Sequence, residues 1–564
     1  MVDKRKGKFR STHRKRYTLI VTALIILFFV FQLISNFTIY VLKRESEIAA
    51  SSEVTLAELY ELREKKLRDK KDEEDKKKNF LLVGEESQLF TLLKNQLNNM
   101  KETYESVEFI ETIKEDKKGI FLTKEHFEES EIVLLKEAAK KGITLYFLKI
   151  PLINISEDLE FRELLGIREL RESGVWNGIR FISNFLISDM IEYPNYELEL
   201  IDLSLKQGTK TYAYSLFLKR NKGNGNIEIE KDNTLRNEEL PSIIWRNTYL
   251  YEGKDGSYVF CVNGNSLIES REGAGIIAAL LSYSEEDYIY PIINAYNFIV
   301  KGMPSITNYS NEKLMKLYGK DALGIQQDIL TPQIFSYVNK YQLFPTYLSK
   351  DANKISNDNG SLAKYFNNQV MVQLGELYQY EEQEGRLYIN DKTTGYEVWS
   401  SNFRFDLGNS EYVTEGFLPL IQNSNYYEVD NEFSIISATT AFGFVSIYTD
   451  IEEVLKEDNE LNWVDVGKKL GTLLSVQSQK LNYLDRMKHT DTVKRLMKYQ
   501  LLETNIEKYE EEIVINLDYF AGEAFFILRT TKEILEVENG SYSKIGDNRY
   551  LIEFINHTAR IIFR

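Results

Sequence analysis

Only one cysteine, eight prolines and four histidines occur among the 564 residues. A lone Cys261 excludes any disulfide within the chain, so the fold has to rest on apolar cores. The histidines, His13, His126, His489 and His557, are scattered, and no two lie a helical turn apart. A transition-metal centre built on imidazole therefore lacks its usual donors. Positive charge is also in deficit: 70 Lys and Arg against 86 Asp and Glu give a net charge of −16. An acidic body does not offer the cationic face that a phosphate backbone needs, which argues against nucleic acid as a partner. Apolar residues, by contrast, make up 43% of the chain, enough to exclude wholesale disorder and to furnish cores for two to four domains.

The longest uncharged run is Tyr17 to Leu42, 26 residues that can cross a hydrocarbon core of about 30 Å. Lys4, Arg5, Lys6, Lys8, Arg10, Arg14, Lys15 and Arg16 precede it, against the single acid Asp3. The positive-inside rule then predicts a cytoplasmic tail at 1–16, a signal anchor at 17–42 and an extracytoplasmic body in the cell membrane. A cleaved signal peptide is the rival. It would need a shorter apolar run and a nearer small-residue site than Ala49-Ala50-Ser51 provides. Residues 43–78 are charged and free of Gly and Pro. Leu56, Leu59, Leu62 and Leu67 are too few for a coiled coil, so a solvated helical stalk is expected.

From Asn79 short apolar runs alternate with helical periods. Phe80 to Val83, Gly119 to Thr123 and Ile143 to Ile150 read as strands. Gln88 to Tyr104 and Glu125 to Lys141 read as helices, which predicts a three-layer α/β sheet over 79–285. Segments from Tyr196 to Asn263 are more β-like, and Gly273 to Leu281 reads as an apolar helix. That order resembles the class I glutamine-amidotransferase-like, flavodoxin-like fold. Cys261 lies mid-strand in Val259 to Asn263, without the flanking glycines of a nucleophile elbow, and reads as a structural thiol. Gly273-Ala274-Gly275 lacks the Lys-Ser/Thr of a phosphate loop. No cofactor is expected.

Tyr288 to Val300 reads as one strongly apolar strand, and helices are expected over Asp465 to Leu484 and Thr490 to Leu501. From Ile513 alternation and the turns at Asn539-Gly540 and Gly546-Asp547 predict a small antiparallel β module over 506–564. The segments Pro291 to Ala295, Met303-Pro304, Asn311 to Gly319, Phe442 to Asp450 and Ala524 to Thr530 resemble a family of bacterial membrane-anchored proteins. That family pairs an amidotransferase-like domain with a polysaccharide-deacetylase-like β/α barrel and is associated with Pel-type exopolysaccharide gene clusters. The resemblance implies a barrel over 286–505. This chain departs from the metal-dependent pattern. Val300-Lys301-Gly302-Met303 has no acid where the first strand ends, and Tyr448-Thr449-Asp450 stands where relatives keep His-Pro-Asp, so the barrel is expected to be degenerate and to hold no metal.

Loops at the carboxyl ends of barrel strands still present groups to a ligand. Trp399, Phe403, Arg404, Tyr448 and Asp450 are the candidate ligand-binding residues. The expected function is a non-catalytic extracytoplasmic component of exopolysaccharide synthesis or secretion, binding polymer or partner proteins. One alternative is a metal-free carbohydrate hydrolase using Glu415, Asp430 and Asp450, since glycoside cleavage needs only two carboxylates. A cell-envelope adhesion or sensing protein is the other.

Overall fold

The computed structural model describes residues 54–69, 78–171, 174–182, 184–188, 190–221, 227–230, 240–250, 256–270, 272–305, 308–352, 375–383, 386–391, 396–401, 429–458 and 460–564. The predicted anchor, 17–42, lies outside them. Among the described residues no helix is long and apolar enough to cross a membrane.

The stalk helix α1 (Leu56–Asp69) starts at a capping box. The Thr55 hydroxyl accepts from the Glu58 N–H, and the Glu58 carboxylate accepts from the Thr55 N–H. Its second half is not a free spacer. Lys66 Nζ donates to the Leu501 carbonyl at 2.9 Å and pairs with Glu503 at 3.0 Å, while Tyr519 donates to Asp69 at 2.9 Å. The charges that read as a solvated face are thus partly used to dock the helix on the body.

The first domain contains β1 (Phe80–Val83), α2 (Gln88–Asn99), β2 (Tyr104–Val107), β3 (Gly119–Leu122), α3 (Glu129–Lys140) and β4 (Thr144–Phe147). After them come β5 (Gly174–Phe181), β6 (Ile191–Leu200), β7 (Lys210–Asn221), β8 (Ser242–Thr248) and β9 (Tyr258–Val262). The sheet order is β2-β1-β3-β4-β9-β8-β7-β5-β6, with β1 to β4 and β9 parallel and the rest antiparallel. This is the flavodoxin-like order 2-1-3-4-5, its fifth strand arriving after the antiparallel excursion. Register puts Phe121, Tyr146 and Phe260 side by side on β3, β4 and β9. Their rings stack at 4.2 Å and 5.3 Å between centroids.

Helix α4 (Gly273–Ser282) follows, with every residue buried. The apolar run after it is two strands. β10 (Tyr288–Ile292) and β11 (Ala295–Lys301) are separated at Asn294, whose φ is 55°. They enter different sheets. β11 lies in the second sheet with β12 (Pro345–Ser349), β13 (Glu376–Gln383), β14 (Arg386–Asp391), β15 (Tyr396–Ser401) and β16 (Phe444–Asp450). The order is β15-β14-β13-β12-β11-β16, parallel from β13 to β16 and antiparallel across β13-β14-β15. Among the described residues the row does not close on itself.

Helix α5 (Val429–Phe442) leads into β16 and packs on α4. The Gly275 N–H donates to Ser437 Oγ at 3.1 Å, and Tyr290 donates to the Thr440 carbonyl at 2.8 Å. After β16 come α6 (Ile451–Leu455), α7 (Trp463–Lys480) and α8 (His489–Leu501). The chain ends in two antiparallel sheets. β10 joins β19 (Ala524–Arg529), β22 (Arg549–Phe554) and β21 (Gly540–Gly546) in one. β17 (Glu503–Lys508), β18 (Glu512–Asp518), β23 (Thr558–Phe563) and β20 (Ile534–Glu538) form the other. Ile289, Ile515, Phe526, Ile552 and Ile561 share the core that includes both sheets. The buried Arg549 donates to the Asn184 and Phe185 carbonyls, tying this module to the first domain.

Next to the module, Glu523 accepts from Lys498 at 2.9 Å and pairs with Arg495 at 3.3 Å. Burial pushes its carboxyl upward, but the two cations outweigh it and hold the group below the usual glutamate range. Its stabilising share is therefore present above the ordinary glutamate value and lost as pH falls through its own lowered value. Melting followed against pH is expected to show this loss. Glu523→Gln is expected to lower stability by about 2 kcal/mol at neutral pH and to flatten the acid limb. An unchanged acid limb would assign that loss to other carboxylates.

Candidate functional site

Strands β11 and β16 are parallel neighbours, and their register sets Lys301 opposite Asp450 at the carboxyl ends of both. The two are 5% and 4% exposed, so the pair is isolated from water. Lys301 Nζ donates to Asp450 Oδ2 at 2.9 Å. Asp450 Oδ1 accepts the Glu452 N–H at 2.9 Å, which caps α6. Burial pushes the Asp450 carboxyl upward, opposed by the Lys301 charge.

Glu452 faces outward from this pair. It accepts Tyr380 OH at 2.6 Å and Lys350 Nζ at 2.8 Å. Burial raises its carboxyl, yet the hydrogen bonds from Lys350 and Tyr380 outweigh that and leave it low. The Lys301 and Lys350 ammonium groups lie 5.5 Å and 5.4 Å from the Tyr380 ring centre, within cation–π range. Gly302, at φ +78°, is required here, because a Cβ would meet Glu452 Cγ at 2.5 Å. On the far side, Gln326 holds the Ser305 backbone through both its amide atoms, at 2.9 and 3.0 Å. Ser305 Oγ lies 3.4 Å from Asp351. Tyr309 is 43% exposed, and burial together with the charge of Glu452 raises its hydroxyl pKa. The site is a neutralised lysine–aspartate pair, buried together with Tyr380, beneath a rim of Lys350, Glu452 and Tyr309.

The chemistry of this donor set does not fit a divalent ion. Both Asp450 oxygens already hold donors, and an ammonium stands where a second cation would be repelled. Among the described residues no three His, Cys, Asp or Glu side chains gather as a metal site. His126 and His557 are exposed on separate loops, and His489 begins α8.

Of the candidates read from sequence, Asp450 is the buried anchor of the site and not a loop residue. Tyr448 is on the same strand, opposite Ile299. Trp399 is opposite Tyr388 in β15, at the other end of the sheet row from β16. Five strand spacings of about 4.8 Å separate those two strands. Asp430 lies in the first turn of α5. Phe403, Arg404 and Glu415 lie outside the described residues. Sequence reasoning missed the Lys301–Asp450 pairing and Glu452. The available signal was that two apolar runs, Phe298-Ile299-Val300 and Phe444 to Ile447, lead to opposite charges at Lys301 and Asp450.

Cys261 sits in β9 within the first-domain core, with Sγ 3.9 Å from the Leu165 carbonyl. Burial pushes its thiol pKa up, the reverse of what a nucleophile needs. The native protein is expected to resist a thiol reagent until unfolded, and Cys261→Ala is expected to cost about 1 kcal/mol. Rapid labelling of native protein would contradict this burial.

No family model matches the chain. No curated protein matches it either. Among solved structures it is similar to Agd3, described as a novel carbohydrate deacetylase, at 7% identity over 86% of this chain and 98% of that one, with a TM-score of 0.49. Partial similarity reaches the alpha-L-fucosidase isoenzyme 2 of Paenibacillus thiaminolyticus, at 10% identity over 37% and 34% of the two chains and a TM-score of 0.26. It also reaches the β-galactosidase of Rahnella sp. R3, at 11% identity over 34% and 29% and a TM-score of 0.21. None of these transfers an activity. The fold that stands is the coarser one: a mixed α/β body with parallel-strand sheets and an antiparallel carboxyl-terminal module.

Proposed function

We propose that the chain is a non-catalytic, membrane-anchored component of exopolysaccharide synthesis or secretion that holds polymer at the carboxyl edge of its second sheet. The observation behind this reading is that Asp450 is fully committed within the protein, to Lys301 and to the α6 cap. Hydrolysis or deacetylation needs a carboxylate poised to move a proton or to hold a metal-bound water. A pinned carboxylate can do neither, while the rim retains what holds sugars: Tyr309 as an aromatic face, and Lys350 and Glu452 as charged partners for hydroxyls. Anchoring through Tyr17 to Leu42 would keep the body beside the emerging polymer.

The test uses full-length protein and partly deacetylated poly-N-acetylglucosamine. Retention on the polymer is expected, without release of acetate or reducing ends. Joint replacement Tyr309→Ala and Lys350→Ala should weaken retention roughly tenfold, about 1.4 kcal/mol, with melting little changed. Acetate or reducing ends that appear with wild type and vanish with Asp450→Asn would replace this reading by the carboxylate hydrolase.

A further inference from the structure

The first domain carries an opening of its own. Parallel strands β3, β4 and β9 end at one edge of their sheet, and the chain leaving them surrounds a cavity of about 520 Å³. That edge is where doubly wound sheets receive ligands, and the volume falls within the range of about 300–1,000 Å³ for small-molecule sites. Ile150 and Leu152 follow β4, Asn263 to Ser266 follow β9, and Val175 with Glu199 to Ile201 close the far wall.

The wall is built, not incidental. Asn263 is 1% exposed. It donates to the Ile201 and Ser242 carbonyls at 2.8 and 3.2 Å and accepts from the Ile201 N–H at 3.0 Å. This amide clamps the exit of β6 against the end of β9. Gly264, at φ +125°, then turns the chain beside Leu200, where a Cβ would lie 3.1 Å from Leu200 Cδ2. Asn265 donates to Glu125 Oε1 at 2.9 Å, and Lys149 reaches Glu125 at 3.2 Å and Glu269 at 2.8 Å. One ammonium is therefore shared by two carboxylates. The third, Glu199, lines the cavity, and its carboxylate has no ion pair or side-chain hydrogen bond among the described residues. The lining thus combines an apolar wall, amide and hydroxyl groups from Asn265 and Ser266, and uncompensated negative charge.

A sugar ring offers C–H faces for the apolar wall and hydroxyls for the polar groups, and only a cation offsets the surplus charge. We propose that this cavity binds a short run of a de-N-acetylated amino sugar, with a ring ammonium on Glu199. The inference rests on the polymer-binding reading and specifies which units of the polymer the first domain selects. An N-acetylated unit carries no charge and adds an acetyl group, so it loses the ion pair.

The experiment is calorimetry on the full-length protein with a glucosamine tetramer, an N-acetylglucosamine tetramer and spermidine. The glucosamine tetramer is expected to bind at least about tenfold more tightly than the other two. Glu199→Gln is expected to remove about that factor, and added salt to narrow it. Val175→Trp, which fills the cavity, should abolish binding while melting is retained. Spermidine binding as tightly as the glucosamine tetramer overturns the sugar assignment. A tetramer that binds but loses affinity through Lys350→Ala and not Glu199→Gln sits on the second sheet and overturns the cavity site. A tetramer that does not bind at all also overturns it, while polymer retention still decides the rim reading separately.

Discussion

Gly275→Leu is expected to prevent the protein from reaching its native packing, with a loss above about 3 kcal/mol or failure to accumulate folded protein. Helices α4 and α5 approach so closely that even a Cβ at this position would lie 2.6 Å from both the Cα and the carbonyl oxygen of Ser437. Ser437 Oγ would be closer still, but trimming that side chain gives no relief, because the backbone atoms remain in the way. The contact also carries hydrogen bonds, because Ser437 Oγ accepts from the Gly275 N–H and donates to the Glu272 carbonyl at 2.7 Å. Denaturant unfolding of Gly275→Ala, the mildest version, should already show a lowered midpoint. A Gly275→Ala protein that unfolds where wild type does would mean that the two helices separate without cost, contrary to the packing described.

The second large effect is expected at Lys301. Lys301→Met leaves Asp450 buried without its ammonium, and removing one partner of such a pair costs about 3–5 kcal/mol. Asp450→Asn added to Lys301→Met should restore most of the loss, because the amide oxygen still caps α6 and no charge is left behind. The variant's stability should also depend on pH. Asp450 already titrates above its ordinary value through burial, and losing Lys301 raises it further. Between the ordinary and the raised value the folded variant holds a proton that the unfolded chain has released. Its stability should therefore recover as pH falls into that window and decline as pH rises through it. Equal stability of Lys301→Met and wild type at neutral pH would show that Asp450 has another way to lose its charge.

Much of the secondary structure was legible because it is written in local periodicity. The parallel strands of the first domain read as apolar runs since both faces are covered, and α7, α8 and the alternating terminal strands kept their own periods. The stretch around β10 and β11 was misread for the same reason. Two fully buried strands joined at Asn294 are indistinguishable from one longer apolar run, and only pairing with β19 and with β12 separates them. The glycines at 273 and 275 posed a comparable problem. The sequence lacked the residues of a phosphate loop after them, and their use is close packing instead: Gly273 against the Ile268 carbonyl and Gly275 against Ser437, 162 residues away.

What the sequence by itself determined is the class of the protein: an acidic, cysteine-poor α/β chain whose apolar runs specify strands and helices by period, with its single thiol placed mid-strand. What only the tertiary structure decided is which charges meet. Lys301 and Asp450 are 149 positions apart and neutralise each other because β11 and β16 are adjacent and in register. Glu125 and Glu199 line one cavity because β3 and β6 end beside the same turn after β9. Periodicity acts within a few residues of the chain. The energy of a buried charge depends on its neighbours in space, and those are set only when the sheets have assembled.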